Sequence, residues 1–465
     1  MHTFRKSSAI YFKSLELENI RCFKGKQKLD LTLGDGIPTQ WTLILGDNGV
    51  GKTTLLQCLA WMRPVPYLDE VGNVAGISPA LQDGENLVFE KLLRNHQEGN
   101  SVIKAELMQG TLLSELNSQS NTPELIFTQS TFSGKENGEL EEENSIGTRE
   151  EGGRKLPLLI AYGANRFQVK NYLEIDYAIY DPAITLTGTT ELIDVEDFLT
   201  SMDYAAAKEA MDSSFAKEIG KAKKATDRLE TIKRIIAEIL PDLSGENCIK
   251  FFGPKLPGSA GPSGVHCETP YGLVPMSALS LGYRTTMGWI VDLAWRLYSE
   301  YPDEIKPLSQ PAIVLIDEID LHLHPKWQRK IIQNLSTHFP NTQFIATAHS
   351  PLMVQSANYA NLAVLVNDGD HIQINNSPEF LEGWRVDQIL TSELFGLTSA
   401  RSEEIEKKIR KRQELLQTDR TSEQEKELQK IDKEIDDLPS LETATDQKAL
   451  DLIRRAAMAL QNKNV

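Results

Sequence analysis

Residues Gly46-Asp47-Asn48-Gly49-Val50-Gly51-Lys52-Thr53 fit the spacing G-x-x-x-x-G-K-[ST]. Small residues let a loop wrap a phosphate so that backbone N–H groups point inward, and a following helix adds its positive N-terminal end. Gly46, Asn48, Gly49 and Gly51 supply that cradle, with Thr54 next in line. Lys52 can reach β- and γ-phosphates, and the Thr53 hydroxyl can bind Mg²⁺.

Ile313-Val314-Leu315-Ile316-Asp317-Glu318 is the complementary pattern. An apolar strand delivers two carboxylates to the carboxyl end of a sheet. Asp317 would hold Mg²⁺, directly or through water, and Glu318 can polarise an attacking water. His349, in Thr347-Ala348-His349-Ser350, follows another short strand and can hydrogen-bond a γ-phosphate. Ser280 and Gly282, in Ser277–Arg284, precede a helix and form a second anion-binding element.

These residues need elements to hold them. Residues 9–45 read as strands: 10–17 alternates, 28–33 follows a turn, and 41–45 is a short apolar run of the buried kind. A helix is expected over 53–62, giving strand, glycine loop and helix. Residues 131–156 are polar, glycine-rich and crowded with glutamate, and read as a mobile loop or insert. A strand resumes over 156–162, 191–240 looks helical, and 253–272 is a loop or hairpin region. A helix over 277–300, strands over 312–316, 342–348 and 362–366, and a helix over 325–338 return the chain to α/β. Charged helices over 402–417 and 423–438, with Thr421 or Ser422 as a cap between them, and a last helix over 444–461 complete the tail.

The basic run Lys217, Lys221, Lys223, Lys224, Arg228, Lys233 and Arg234 reads either as a solvated helix face or as a nucleic-acid-facing arm. The tail reads either as a small bundle or as a docking surface for a partner.

Composition narrows the function classes. The chain has 465 residues, 66 Asp plus Glu, 49 Lys plus Arg and a net charge of −17. So acidic a chain is a poor autonomous, non-specific DNA binder, because phosphate contact needs a local excess of cations. The apolar runs fall far short of the roughly 20 residues of a membrane span. The start carries no recognisable secretory signal. Cys22, Cys58, Cys248 and Cys267 are widely spaced without a C-x-x-C pair, so a zinc knuckle is not expected and the reducing cytoplasm is the expected location.

In that order, the loop, the Ser280 signature, the acid pair and His349 resemble an ABC-type ATPase of the branch that includes recombination and chromosome-maintenance heads. Asn19-Ile20-Arg21-Cys22-Phe23 resembles that branch's N-terminal element, which adds Arg21 to the nucleotide-binding set. Asp320-Leu321-His322-Leu323-His324-Pro325 resembles its D-loop, which accounts for the two histidines without a metal site. The resemblance covers roughly residues 9–63, 156–166 and 275–370. It implies a P-loop core sheet with flanking helices and an antiparallel N-terminal sheet, a helical insertion and a C-terminal helical tail. The corresponding division is a discontinuous head (1–66, 156–180, 270–375), an insertion with an acidic loop (67–155), a helical arm (181–269) and a helical region (376–465). Leu281 and Tyr283 depart from the transporter signature, and a glutamine after the mid-chain strand is not obvious in Ala161–Arg166, with Gln168 beyond.

With Tyr162–Arg166, Leu279–Arg284 and the stretch 384–397, the sequence is further similar to the ATPase subunits of bacterial anti-phage systems, of the Septu (PtuA) kind also found with some retrons. That resemblance implies ATP and Mg²⁺ as cofactors and heads that pair around two ATPs, in a dimer or higher oligomer. It also implies a separate HNH nuclease partner (PtuB-like), with nucleic acid met through the complex. The other readings are a DNA-repair ATPase acting directly on DNA and an ATP-dependent scaffold with little turnover.

Overall fold

Strand β1 (Ile10–Ile20) buries Phe12, Leu15, Leu17 and Ile20, and pairs antiparallel with β2 (Phe23–Asp30). The computed structural model describes residues 9–33, 36–68, 74–80, 100–110, 112, 124–134, 140–147, 156–169, 182–211, 225–240, 243, 248–253, 261–357, 360–376, 384–392, 394–397, 399–417 and 421–436. Two units divide the chain, Met1–Phe395 and Gly396–Val465.

In the first unit, β3 (Trp41–Gly46) runs into α1 (Lys52–Trp61), followed by the β4 (Pro64–Leu68) and β5 (Val74–Pro79) hairpin. Then come β6 (Asn100–Gln109), β7 (Glu124–Gly134), β8 (Leu140–Gly147), β9 (Leu158–Tyr162) and β10 (Arg166–Val169). After α2 (Pro182–Thr187), β11 (Thr190–Ile193), α3 (Val195–Met211) and α4 (Ala225–Ile239) come β12 (Ile249–Phe252), β13 (Gly264–Thr269) and β14 (Gly272–Pro275). The long α5 (Leu281–Glu300), β15 (Ala312–Ile316), α6 (Pro325–Gln328), α7 (Ile331–His338), β16 (Thr342–Thr347), α8 (Pro351–Gln355), β17 (Asn361–Asn367), β18 (Ile372–Asn375) and α9 (Val386–Leu390) follow.

The core sheet has the order β18-β17-β3-β16-β15-β9, parallel except for β18. Its middle strands are buried on both faces, as a covered parallel sheet requires. Leu43, Leu45, Val314, Ile316, Phe344 and Ala346 enter one hydrophobic cluster with α5, while Ile44, Ile313, Leu315 and Ile345 enter another with α1 and β1. Every residue of α1 except Thr53 is buried, which fits a helix that is apolar on most sides. Each fully buried aliphatic side chain contributes about 1.5–3 kcal/mol. Tyr162 donates to the fully buried Asp292 at 2.8 Å and so ties β9 to α5, while Arg296 donates to the same carboxylate at 2.7 Å from one turn along that helix.

A second sheet, β2-β1-β6-β7-β8, is antiparallel. Side chains join it to the core sheet: the buried Gln343 amide of β16 accepts from the Phe12 N–H at 2.9 Å and donates to the Phe12 carbonyl at 2.7 Å, and Asn361 of β17 donates to the Asp30 carbonyl at 2.6 Å. Strand β6 lies in the segment expected as an insertion, yet pairs with β1 from Ile10 to Glu18. Residues 131–156, expected as a loop, contain the end of β7 and all of β8. A ladder is built from main-chain groups, which a run of like charge does not remove. The strand expected over 28–33 is instead Phe23–Asp30. The helix expected over 325–338 is broken, because the Lys330 N–H bonds the Trp327 carbonyl three residues back at 2.9 Å and tightens the turn.

Of the basic run, Lys217, Lys221, Lys223 and Lys224 lie outside the described residues. Arg228 stands over the Tyr298 ring at 5.1 Å, and the mostly buried Lys233 pairs with Glu230 at 2.9 Å. Ile389 and Leu394 pack into the first unit, so it extends past the expected boundary at 376. No described helix is long and apolar enough to cross a membrane.

The second unit contains α10 (Glu403–Gln417) and α11 (Ser422–Asp436). Leu415, Leu428 and Ile431 form their seam, flanked by the pairs Lys411–Glu427, Arg412–Asp432 and Lys408–Glu434. Thr421 and Gln424 exchange side-chain and backbone bonds in a capping box, so of the two expected caps Thr421 is the one used. The helix expected over 444–461 lies outside the described residues.

Candidate functional site

The parallel strands bring the chemistry together. β3, β16, β15 and β9 lie side by side, so Gly46, Thr347, Asp317 and Gly163 emerge at the same carboxyl edge, where open α/β sheets bind ligands.

After Gly46 the loop climbs into α1 through Gly49 and Gly51, both at positive φ. At Gly51 (φ 94°) a Cβ would lie 2.5 Å from the Cys22 Sγ, so the turn needs glycine for its conformation and for its close packing. Lys52 is buried, and its Nζ donates to the Gly46 and Asp47 carbonyls at 2.8 and 2.7 Å. Burial lowers the Lys52 pKa, against the opposing pull of Asp317, Glu318, Asp47 and Asp320. The ammonium is thus held at the loop's centre, where a phosphate oxygen could take over its bonds.

Thr53 donates to the Asp317 carboxylate at 2.7 Å, and Thr347 donates to its other oxygen at 2.7 Å. The same Thr347 hydroxyl accepts from the Glu318 N–H at 2.7 Å. The hydroxyl of Thr53 and the carboxylate of Asp317 are hard oxygen donors of the kind Mg²⁺ prefers, and the set fits that ion.

Glu318 has φ 50°, a left-handed conformation that costs a side-chain-bearing residue about 1–2 kcal/mol. His349 follows β16 half-buried, and its N–H donates to Asp320 at 3.0 Å. Ser350 caps α8 and donates to Gln328 at 2.7 Å.

Arg21 (φ 44°) donates to Thr54 and to Gln57, both at 3.1 Å, and so braces α1 from the side. Ser280 is the exposed N-cap of α5, with its hydroxyl not bonded to that helix. At Gly282 a Cβ would lie 2.5 Å from the His322 carbonyl oxygen, so the D-loop backbone rests on the signature glycine. The expected residues therefore form two groups. Lys52, Thr53, Asp317 and Glu318 gather around the phosphate loop and β15, while Ser280 and Gly282 sit at the head of α5, with Gly282 against the His322 carbonyl. Among the described residues no group of three or more His, Cys, Asp or Glu could hold a metal on its own.

Sequence reasoning missed Arg166 and the double role of Thr347. Arg166 is buried and donates from one nitrogen to the Asp317 and Glu318 carbonyls, at 2.5 and 2.7 Å. The sequence marked it only as the end of the Tyr162–Arg166 motif after β9, without a role. Gln168 does not turn toward the carboxylates; its amide donates to the Arg284 carbonyl of α5 at 2.8 Å.

Residues 14–244 match a family described as "AAA domain", and residues 271–354 match one described as "AAA domain, putative AbiEii toxin, Type IV TA system". A Septu protein PtuA of Bacillus mycoides (strain KBAB4) is 26% identical over 83% of this chain and 45% of its own length. The "Retron Vc95 probable ATPase" of Vibrio cholerae serotype O1 biovar El Tor is 26% identical over 77% of this chain and 74% of its own length. The chain thus spans less than half the length of that PtuA. The SMC head domain from Thermotoga maritima is 15% identical, with a TM-score of 0.36, over 78% of this chain and 98% of that one.

Proposed function

We propose, from the matches to two AAA domain families and the similarity to a Septu PtuA and a retron ATPase, that the chain is the ATP-binding regulatory subunit of a bacterial anti-phage defence complex. In this reading ATP binding and hydrolysis control a separate HNH-type nuclease that cleaves nucleic acid. The observation that carries its ATP-hydrolysing part is the bonded chain Thr53–Asp317–Thr347–Glu318 beside Lys52, an arrangement suited to phosphoryl transfer to water, and the similarity to Septu PtuA supports the rest.

The backbone of Gly46, Asn48, Gly49 and Gly51 and the N-terminus of α1 would receive the phosphates. Lys52 would move its bonds from loop carbonyls to phosphate oxygens. Thr53 and Asp317 would hold Mg²⁺, which when bound neutralises charge on the phosphates. Glu318 would orient and polarise the attacking water, and His349 would bond the γ-phosphate. Arg21 and Thr54 would steady the first turn of α1. By the resemblance to heads that pair around two ATPs, Ser280 and Gly282 would face the nucleotide of a second copy.

Two observations weigh against a head that acts on DNA alone. The net charge is −17, and Arg228 and Lys233 are engaged within their own unit. The test is to express the tagged chain with its genomic neighbours and identify co-purified proteins. A stoichiometric HNH-type protein is the expected result. A homo-oligomer without a partner, binding DNA tightly and salt-sensitively, would favour the DNA-repair reading.

A further inference from the structure

Glu318 is held in its left-handed conformation from both sides. Its N–H is fixed by Thr347, and its carbonyl by Arg166. Along a strand, successive carbonyls point in opposite directions. Here the carbonyls of Asp317 and Glu318 both converge on one Arg166 nitrogen, at 2.5 and 2.7 Å. Two oxygens brought so close repel each other, and a cationic donor between them removes that repulsion.

Arg166 is an expensive way to fill this space. It is 8% exposed, and among the described residues its hydrogen bonds go to carbonyls rather than carboxylates and its Nε has no partner. Burial lowers its pKa to about 10, although Asp317, Glu318 and Asp320 oppose the shift. Packing alone would be served as well by an apolar side chain. The feature that needs a cation here is the pair of converging carbonyls.

We propose that Arg166 is the positioning residue for Glu318, and that its guanidinium clamps the turn after β15 so that the Glu318 carboxylate points into the phosphate site. This rests on the reading of Glu318 as the group that polarises water. Without the clamp the residue can relax to an ordinary backbone conformation, which swings the carboxylate away. Arg166 itself need not touch nucleotide, so the effect should fall on turnover and not on affinity.

The experiment measures ATP affinity, KM and kcat for Arg166→Met, Arg166→Lys and Glu318→Gln in the full chain. A misplaced catalytic group costs about 10²-fold, so Arg166→Met should lose kcat on that scale while KM and nucleotide affinity stay within about threefold. Arg166→Lys, which keeps the charge and one donor, should fall between Met and wild type. A kcat within about twofold of wild type in Arg166→Met would overturn the proposal, as would parallel loss of affinity and turnover. If Arg166→Met does not fold, Arg166→Lys decides by the same split: lowered kcat at unchanged KM supports the clamp, and unchanged kcat refutes it. Wild-type turnover in Glu318→Gln would instead sink the premise about Glu318, a failure distinguishable from that of Arg166.

Discussion

Thr53 and Asp317 stand 264 positions apart in sequence and share a 2.7 Å hydrogen bond. That contact closes the site, because it joins the first turn of α1 to the end of β15 across the intervening β16. Replacing Lys52 beside it by alanine is predicted to weaken ATP binding about 10²-fold, from the loss of charge-assisted bonds to phosphate. Replacing Glu318 by glutamine should leave binding intact and slow hydrolysis about 10²–10⁴-fold. Equilibrium nucleotide titration and steady-state phosphate release separate the two; unchanged ATP affinity in Lys52→Ala would refute the phosphate-loop assignment.

Thr347→Val keeps the shape of a fully buried residue but removes its hydroxyl. The Glu318 N–H then loses its acceptor and one Asp317 oxygen its donor. An unsatisfied buried group costs about 1–3 kcal/mol, so the urea midpoint should drop and turnover with it. A variant with wild-type stability and rate would show that the hydroxyl is dispensable.

Gly282→Ala places a methyl group against the His322 carbonyl, a backbone atom that cannot swing aside. Nucleotide affinity should stay within about threefold while turnover falls about tenfold or more, because the damaged surface is that of the signature and D-loop. Titration and ATPase assays on the same preparation check this. Equal turnover in variant and wild type would mean that the contact has no part in the reaction.

His338 gives a pH dependence. Burial pushes its pKa below 6.5, and the Glu238 carboxylate 2.8 Å away offsets this only in part. The unfolded chain therefore takes up a proton at a higher pH than the folded chain. This contribution to stability is fully present above the unfolded value and is lost as pH falls through the window down to the folded value. Urea midpoints at about pH 7.5 and about pH 5.5 should differ less in His338→Gln than in wild type. An identical difference would remove His338 from the account.

The phosphate loop and the acid pair were legible because each is one contiguous run, and its residues are neighbours in sequence before they are neighbours in space. The parallel core was legible for the same reason, in runs such as Ala312–Ile316 that are apolar throughout. Arg166 was not, since its partners come from β15 and become adjacent only when β9 pairs with that strand. Thr347 reads as an ordinary strand residue until β16 is placed between β3 and β15. Strand β8 was hidden by its glutamates, because side-chain charge says little about main-chain pairing. The turn at Lys330 depends on one backbone bond within an otherwise helical pattern.

Gln343 has a consequence for how the protein breathes. Its amide stands in for a missing strand between Phe12 and β16, so neither sheet can part from the other there without stranding two buried main-chain groups. The amide hydrogens of β1 and β16 should therefore exchange with solvent in one cooperative opening rather than two. Thr347 lies four residues along the same strand, so the catalytic edge shares the kinetic protection of the antiparallel sheet.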